Sequence, residues 1–563
     1  MAHVCTTIVD PNVQLIQQKV TISHTVYSGG HLHYSLPAEC LVLHISIMSA
    51  TCEMPSSQRP SIQSLPYEIL LVIFIEVYFK AREDDRRVSK HFRRSRRCLS
   101  VIGDVCKLWR DLSLRLPHLW QRIRIYVDEP ISLPQLKAKL TVSSTFSFDM
   151  FVVRKQLPIH AEDDSASIEQ PEKPPTGQEL DPNERDRVIS LLPLVARHLH
   201  RCDVLVFDLL LRSSLPCLTN FCGEAAHLRT LRLRSNHVDS MNNGPPIPEQ
   251  ANMFRCSYLR YLDFDGGIFV RAVQIPQWQD SMRSLHKKHI SITNLFSGDY
   301  GDFDLCDLVM SLSEPKIGHI TRFQLSNIHL DHQTCYTHDP VSIFIQNFMF
   351  EDLPYDTLAG FFMIQLNVID VTSLVIRRCD LGPGPVTSFS SRRLLLEDIH
   401  ETENITAFVQ NWDGFALEIK QCPSVNNSLL QMMVTLEHEK TESYFVPSVR
   451  QITISPFLNI SPFGVRNLVI ARAEQAKKFN PADGVPKYFP MHSIWLFGAG
   501  PPLSHKDREW FKEALEGFCW YTPRAGFESP VLGSDCSTWE IPQDVSSPVI
   551  LFLKGSLTIS LLL

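Results

Sequence analysis

Hydrophobic positions along this chain change period twice. Helical spacing comes first, then a stretch nearly free of apolar residues, then short alternating runs that recur almost to the end. Between Ile102 and Trp120, apolar residues fall at Ile102, Val105, Cys106, Trp109 and Leu112, one face of an amphipathic helix. Leu116, Leu119 and Trp120 follow, with Pro117 as the first residue of a second short helix. Upstream, Leu65-Pro66 opens another helix in which Ile69, Leu70, Ile73, Phe74 and Val77 share a face. Ser64 is available as its cap and Glu68 lies near the positive end of its dipole. Three helices this short cannot bury so much apolar surface among themselves, so the surplus predicts a partner protein.

After Trp120 the period becomes two. Ile123, Ile125 and Val127 point one way and Arg122, Arg124 and Tyr126 the other, a half-buried strand. A helical segment near Pro134 to Thr141 and an apolar stretch from Phe146 to Val153 follow. From His160 to Asn183 the composition turns to Glu, Asp, Ser and Pro, which predicts a disordered acidic loop. Asp181-Pro182-x-Glu184 then supplies an N-cap, a first-position proline and a third-position carboxylate. The helix it opens carries Val188, Leu191, Leu192, Val195 and Leu199 on one face, with Pro193 inside it.

From Cys202 onward a unit recurs: a helical or loop stretch, then a short alternating strand. The clearest copy, Leu228 to Asn236, fits L-x-x-L-x-L-x-x-N at every fixed position. Looser copies lie at 259–264, 320–325, 371–379, 392–399, 416–422, 449–454 and 492–497. Each strand turns alternate Leu, Ile or Val inward, and neither face is buried without a neighbour. Asn236, Cys379 and Cys422 hold the place after the strand from which a side chain satisfies the turn. Ser504-x-x-Asp507 before Trp510, Phe511, Ala514, Leu515 and Phe518 predicts a capping helix over the last repeat. The tail Val549 to Leu563 is apolar but broken by Lys554 and Gly555. It reads as a final strand pair or a misassigned end, with a tail anchor as the lesser alternative.

These three short helices resemble the F-box, in the form common in the large fungal family of F-box proteins. The carrying residues are Leu65, Pro66, Glu68, Ile69, Ile73, Phe74, Val105, Cys106, Trp109, Arg110, Leu112, Pro117, Leu119 and Trp120. The chain departs from the family pattern at a charged insertion, about 80–98. The resemblance implies an α + α/β chain: a small three-helix F-box followed by an irregular leucine-rich-repeat solenoid. It implies docking on a Skp-family adaptor, and through it a cullin ligase of the SCF type, by Leu65, Pro66, Ile69, Leu70, Ile73, Phe74, Val105, Cys106, Trp109, Leu112, Leu119 and Trp120. The rest of the chain would recruit a protein target, and the F-box protein itself performs no chemistry. The alternative is a leucine-rich scaffold outside any ligase.

The expected organisation is an N-terminal extension at 1–60, the F-box at 61–120, and a connecting strand and helix at 121–159. A disordered acidic, Pro-rich loop at 160–183, the leucine-rich domain at 184–548 and the apolar tail at 549–563 complete it. Met54 is a candidate natural start, with the residues before it dispensable. At 563 residues the chain is long enough for two or more units. A net charge of −7 gives no sign of general affinity for nucleic acid or anionic membrane. Fifteen scattered cysteines without a Cys-x-x-Cys pair suit a reducing, cytoplasmic or nuclear setting better than a disulfide framework. The basic insertion has the composition of a nuclear localisation signal, but Glu83, Asp84 and Asp85 within it favour a solvated loop.

No signal for catalysis or a cofactor stands out. The sequence lacks a Gly-x-Ser-x-Gly elbow, a phosphate loop and a His-Glu-x-x-His pair. His286-x-x-His289 and His329-x-x-His332 lack a third ligand and read as surface histidines. Asp299, Asp302, Asp304 and Asp307 lack the closing glutamate of a calcium loop, since Met310 stands there, and read as a solvated acidic loop. Gly498-x-Gly500 reads as a turn.

Overall fold

The computed structural model describes residues 3–6, 17–22, 45–49, 65–88, 105–114, 116–143, 146–154, 183–221, 223–239, 254–283, 288–331, 341–364, 366–368, 371–382, 389–400, 402–434, 448–477, 489–522 and 558–562. The expected acidic loop and most of the basic insertion fall outside them. Two units divide the chain: residues 1–66 with 523–563, and residues 67–522. In the first, strands His3–Thr6, Gln17–Ile22, Ile45–Ser49 and Thr558–Leu562 form one sheet. The C-terminal strand pairs parallel to the first and antiparallel to the second.

The second unit opens with helix α1 (Tyr67–Val88), helix α2 (Lys107–Leu114) and a 3-10 turn at Pro117–Trp120. Helix α1 does not stop at the insertion: residues 80–88, expected in a loop, continue it. Fourteen strands follow in one sheet, every pair parallel and every strand beside its sequence neighbours. They are β1 (Arg122–Tyr126), β2 (Phe148–Val153), β3 (Cys202–Leu211), β4 (Thr230–His237), β5 (Tyr261–Asp265), β6 (Lys288–Phe296) and β7 (Ile320–His329). Then come β8 (Ile345–Glu351), β9 (Ser373–Arg377), β10 (Arg393–Glu397), β11 (Ala416–Lys420), β12 (Gln451–Ser455), β13 (Ser493–Phe497) and β14 (Gly517–Tyr521). Helices alternate with many of these strands, as parallel pairing requires a crossover. This is an α/β, leucine-rich-repeat-like sheet, consistent with a solenoid.

Alternation dictates the core. Each strand turns its Leu, Ile, Phe or Val residues to one side, and a continuous apolar core runs from Ile123 to Trp520. The strand pattern read at Ile123, Ile125 and Val127 is β1, so residues 122–153 are already part of the sheet. Strands β6, β8 and β14 were not anticipated. In β6 and β8 the apolar alternation is diluted by Lys288, His289, Gln346 and Asn347. Strand β14 follows the helix at His505–Ala514, which therefore does not end the repeat. Ser504 does cap that helix, accepting from the Asp507 N–H at 3.1 Å, but Ala514 is exposed and Phe518 belongs to β14.

The strands end by a shared device. Asn294, Asn327, Asp352, Arg378, Asp398 and Gln421 all have left-handed φ, between 48° and 59°. They follow one another across six neighbouring strands, one step beyond the paired row Ser326, Glu351, Arg377, Glu397 and Lys420. One left-handed residue shifts the in–out parity, so the next residue turns inward. Leu295, Ile328, Leu353, Cys379, Ile399 and Cys422 are accordingly buried. Cys422 Sγ accepts the Ile399 N–H at 3.3 Å. Asn236 behaves otherwise: it is exposed, and Ser235 takes the inward place. Of the cysteines, Cys306 is disulfide-bonded, which the composition did not lead one to expect; seven others among the described residues are free.

A buried ion cluster ties the ends of four strands, β3 to β6. Asp265 caps the helix Gly266–Gln274 by accepting from Gly267 N–H at 3.1 Å. It also accepts from Ser235 Oγ at 2.6 Å and pairs with Arg212 Nε at 2.7 Å. Arg212 reaches Asp299 at 2.5 Å and the Asn294 carbonyl. Asp299 therefore belongs to the fold, and Asp304 and Asp307 form a capping box; this acidic run is structural, not merely a solvated loop. Helix Glu184–His198 starts one residue after Asn183, so the cap is not Asp181. Its buried Glu184 bonds Arg154 at 3.0 Å and the Leu210 N–H at 2.9 Å.

Burial pushes Asp265 up to about 6 despite the pull of Arg212. A folded-state value above the ordinary one means ionisation costs stability. The contribution is full below about pH 4 and is lost as pH rises through 6. The loss should be of the order of 3 kcal/mol, and Asp265→Asn should flatten that part of the urea-midpoint profile. At the strand ends, exposed Gln421 lacks the tolerance of Asn or Asp for left-handed backbone. Gln421→Gly should therefore raise unfolding free energy by about 1 kcal/mol in denaturant titration; a decrease would show that the side chain makes a contact worth more than its strain.

Candidate functional site

The residues expected to dock a partner sort into two groups. Leu70, Phe74, Leu112 and Leu119 are fully buried, and Ile69 and Ile73 nearly so. They build the interior where α1, α2 and the 3-10 turn meet, and this interior is separate from the core of the sheet. Phe74 and Trp109 meet edge to face, ring centroids 4.8 Å apart. Leu65, Cys106, Trp109 and Trp120 are half-buried, and Pro66 is exposed. Cys106 closes the first turn of α2: its Sγ accepts the Trp109 N–H at 3.5 Å and its carbonyl the Arg110 N–H at 3.1 Å.

What remains for a partner is a smaller set. Tyr67 is 41% exposed, Val105 50% and Leu108 47%. Val105 is therefore not on the buried face with Leu112, as the spacing predicted. Tyr67 and Leu108 were missed because they sit at the edge of the stripe: Leu108 is three residues after Val105 and four before Leu112, and Tyr67 three before Leu70. Apolar residues that widen the stripe at its edge are the signal that would have found them. The remaining gap is Ile102, which lies outside the described residues.

The outward sheet face is the second candidate surface. Its central charges are matched, across strands by Arg232 to Asp263 at 2.7 Å and by Arg377 to Glu397 at 2.6 Å and to Glu351 at 3.4 Å, and within β11 by Lys420 to Glu418 at 2.6 Å. Arg234 joins Asp263, and Arg393 joins Glu418. Burial works against the Glu418 charge, yet hydrogen bonds from Lys420 and Arg393 hold its carboxyl below the ordinary range. At the β1–β2 edge, Arg122 and Arg124 lie 4.8 and 5.9 Å from the Phe151 ring.

Among the described residues the sheet and its strand ends carry little reactive chemistry. Burial pushes the Cys379 thiol up to about 12 and that of Cys422 to about 11, so both stay protonated. His289 packs on Tyr261 at 4.7 Å, with burial lowering its pKa. His329 stacks on Phe296 at 5.0 Å. Their sequence partners, His286 and His332, lie outside the described residues. Among the described residues, no group of three His, Cys, Asp or Glu side chains is placed to hold a metal, and no helix is long and apolar enough to cross a membrane.

A scan against models of protein families finds no match. A search of curated proteins likewise returns no similar sequence.

Because the helical interior is separate from the sheet core, Phe74→Ala should cost about 3–5 kcal/mol locally. Amide exchange should accelerate in α1 and α2 and stay unchanged in β3 to β13. Leu108→Ser, at an exposed position, should shift neither by more than about 0.5 kcal/mol.

Proposed function

We propose that this chain is a substrate-recruiting subunit of an SCF-type ubiquitin ligase. Its F-box would bind a Skp-family adaptor, and its leucine-rich sheet a protein target. The observation that carries the reading is a compact helical cluster with Tyr67, Val105 and Leu108 left in water, directly ahead of a long repeat sheet. Apolar residues held at the surface of a small helical cluster favour a protein partner, since covering them releases ordered water. The motif order from Leu65-Pro66 through Val105-Cys106 to Leu119-Trp120 supplies the family. In this reading the chain carries out no chemistry; the ligase acts on what the chain holds.

Full-length chain should bind a purified Skp adaptor with submicromolar affinity. Val105→Asp combined with Leu108→Asp should weaken that binding at least about a hundredfold, close to 3 kcal/mol, with thermal unfolding unchanged. A folded wild-type chain that fails to bind any Skp adaptor at micromolar concentration would end the ligase reading. The leucine-rich scaffold would then stand in its place.

A further inference from the structure

Where β9 to β13 begin, their entry loops enclose an open cleft of about 380 Å³. That is the size of a small-molecule site, roughly 300–1,000 Å³. Its floor is rigid. Buried Trp412 donates its Nε1–H to the Ser391 carbonyl at 3.1 Å and to Ser391 Oγ at 2.9 Å. Next to it, a Cβ on Gly414 would stand 2.0 Å from that carbonyl, so only glycine permits the approach.

Two arginines enter this cleft from neighbouring loops, Arg392 ahead of β10 and Arg450 ahead of β12. Arg450 is clamped: its guanidinium carbon lies 3.7 Å from the Phe489 ring centroid and 5.6 Å from that of Phe415. Stacking occupies the faces of the guanidinium plane and leaves its in-plane N–H groups free to donate. On the adjoining sheet face Arg377, Arg378 and Arg393 are each matched by a carboxylate. Among the described residues neither Arg392 nor Arg450 has such a partner. Asp413, the carboxylate in the lining, is exposed and pairs with neither. Among the described residues, the lining thus carries one net positive charge and two unengaged donor forks.

We propose that this cleft is a binding site for a phosphate monoester, with Arg392 and Arg450 as its phosphate ligands. One guanidinium fork saturates a carboxylate, whereas two forks arriving from separate loops suit the three terminal oxygens of a phosphoryl group. The charge of such a group, about −1.5 to −2 near neutrality, matches two cations. Asp413 opposes an anion at this place and keeps the affinity moderate. The phosphoryl group would come from a phosphorylated side chain or from a small phosphorylated molecule. The proposal does not depend on the ligase reading.

The test is calorimetric titration of the full chain with O-phosphoserine and with a short phosphoserine peptide. O-phosphoserine should bind one to one with a dissociation constant of about 1 mM or tighter, and more weakly as salt rises. Arg392→Gln and Arg450→Gln should each weaken it at least about tenfold. Asp413→Asn should tighten it, a change of opposite sign that loss of folding cannot imitate. A peptide at least about tenfold tighter than O-phosphoserine assigns the site to a phosphorylated segment, and equal affinity assigns it to a small molecule. If Arg450→Gln unfolds because its stacking is lost, Arg392→Gln and Asp413→Asn decide the matter. No saturable binding at about 10 mM, or binding indifferent to Arg392→Gln and Asp413→Asn in folded protein, overturns the proposal.

Discussion

The sheet depends on one backbone constraint: a strand must stop alternating at a fixed register so that its next apolar residue can join the core. A left-handed residue does this at the ends of six successive strands. Its amide remains bonded, as with Asp352, Arg378 and Asp398, whose N–H groups donate to Arg377, Glu397 and Lys420 carbonyls at 3.1, 2.9 and 2.9 Å. The chain thus bends without leaving a buried donor unpaired, the condition any interior turn must meet. Four of the six positions hold Asn or Asp, the side chains that tolerate left-handed backbone best. Arg378 is held by Asp352 at 2.7 Å and Glu351 at 2.9 Å, so ion pairs offset part of its strain.

Much of this was legible in the sequence, and the exceptions are instructive. Alternation located β4, β5, β7 and β9 to β13 because their inward residues are Leu, Ile or Phe at strict spacing two. It missed β6, whose first inward residue is Lys288. That lysine is buried because its ammonium donates to the carbonyls of Ile317 and Arg283, at the ends of two short helices. Pattern reading counts a lysine as solvent-facing; carbonyls brought close by folding make it an interior residue. The copy that matched the repeat consensus best, Leu228 to Asn236, is for a similar reason not the typical one. Its Asn236 is exposed, and Ser235 is drawn inward by Asp265, thirty residues away along the chain.

The candidate docking surface was legible only in outline. Helical periodicity identifies residues that agree with one another, and such residues bury one another: Leu70, Phe74, Leu112 and Leu119 form an interior. A surface that waits for a partner is made of residues that the packed helices leave outside, here Tyr67, Val105 and Leu108, the second of them on the predicted stripe itself. Single-chain periodicity does not separate these from interior positions. Their significance emerges only once the helices are packed and the apolar remainder is seen.

Charge distribution separates what the two surfaces can do. Across the middle of the sheet face nearly every guanidinium has a carboxylate neighbour on the next strand, so the field outside it is small. A partner seated there must either leave those pairs intact or separate charges that are already satisfied, which costs more than a new pair returns. Such a face contributes shape and apolar contact, with little electrostatic selectivity. The entry-loop edge differs because Arg450 is held by aromatic rings instead of a carboxylate. Stacking fixes a guanidinium without neutralising it, so its full charge stays available to a ligand and little side-chain entropy is lost on binding. Selectivity for anions therefore belongs to the edge of this sheet, where the repeat's internal matching of charge is left open.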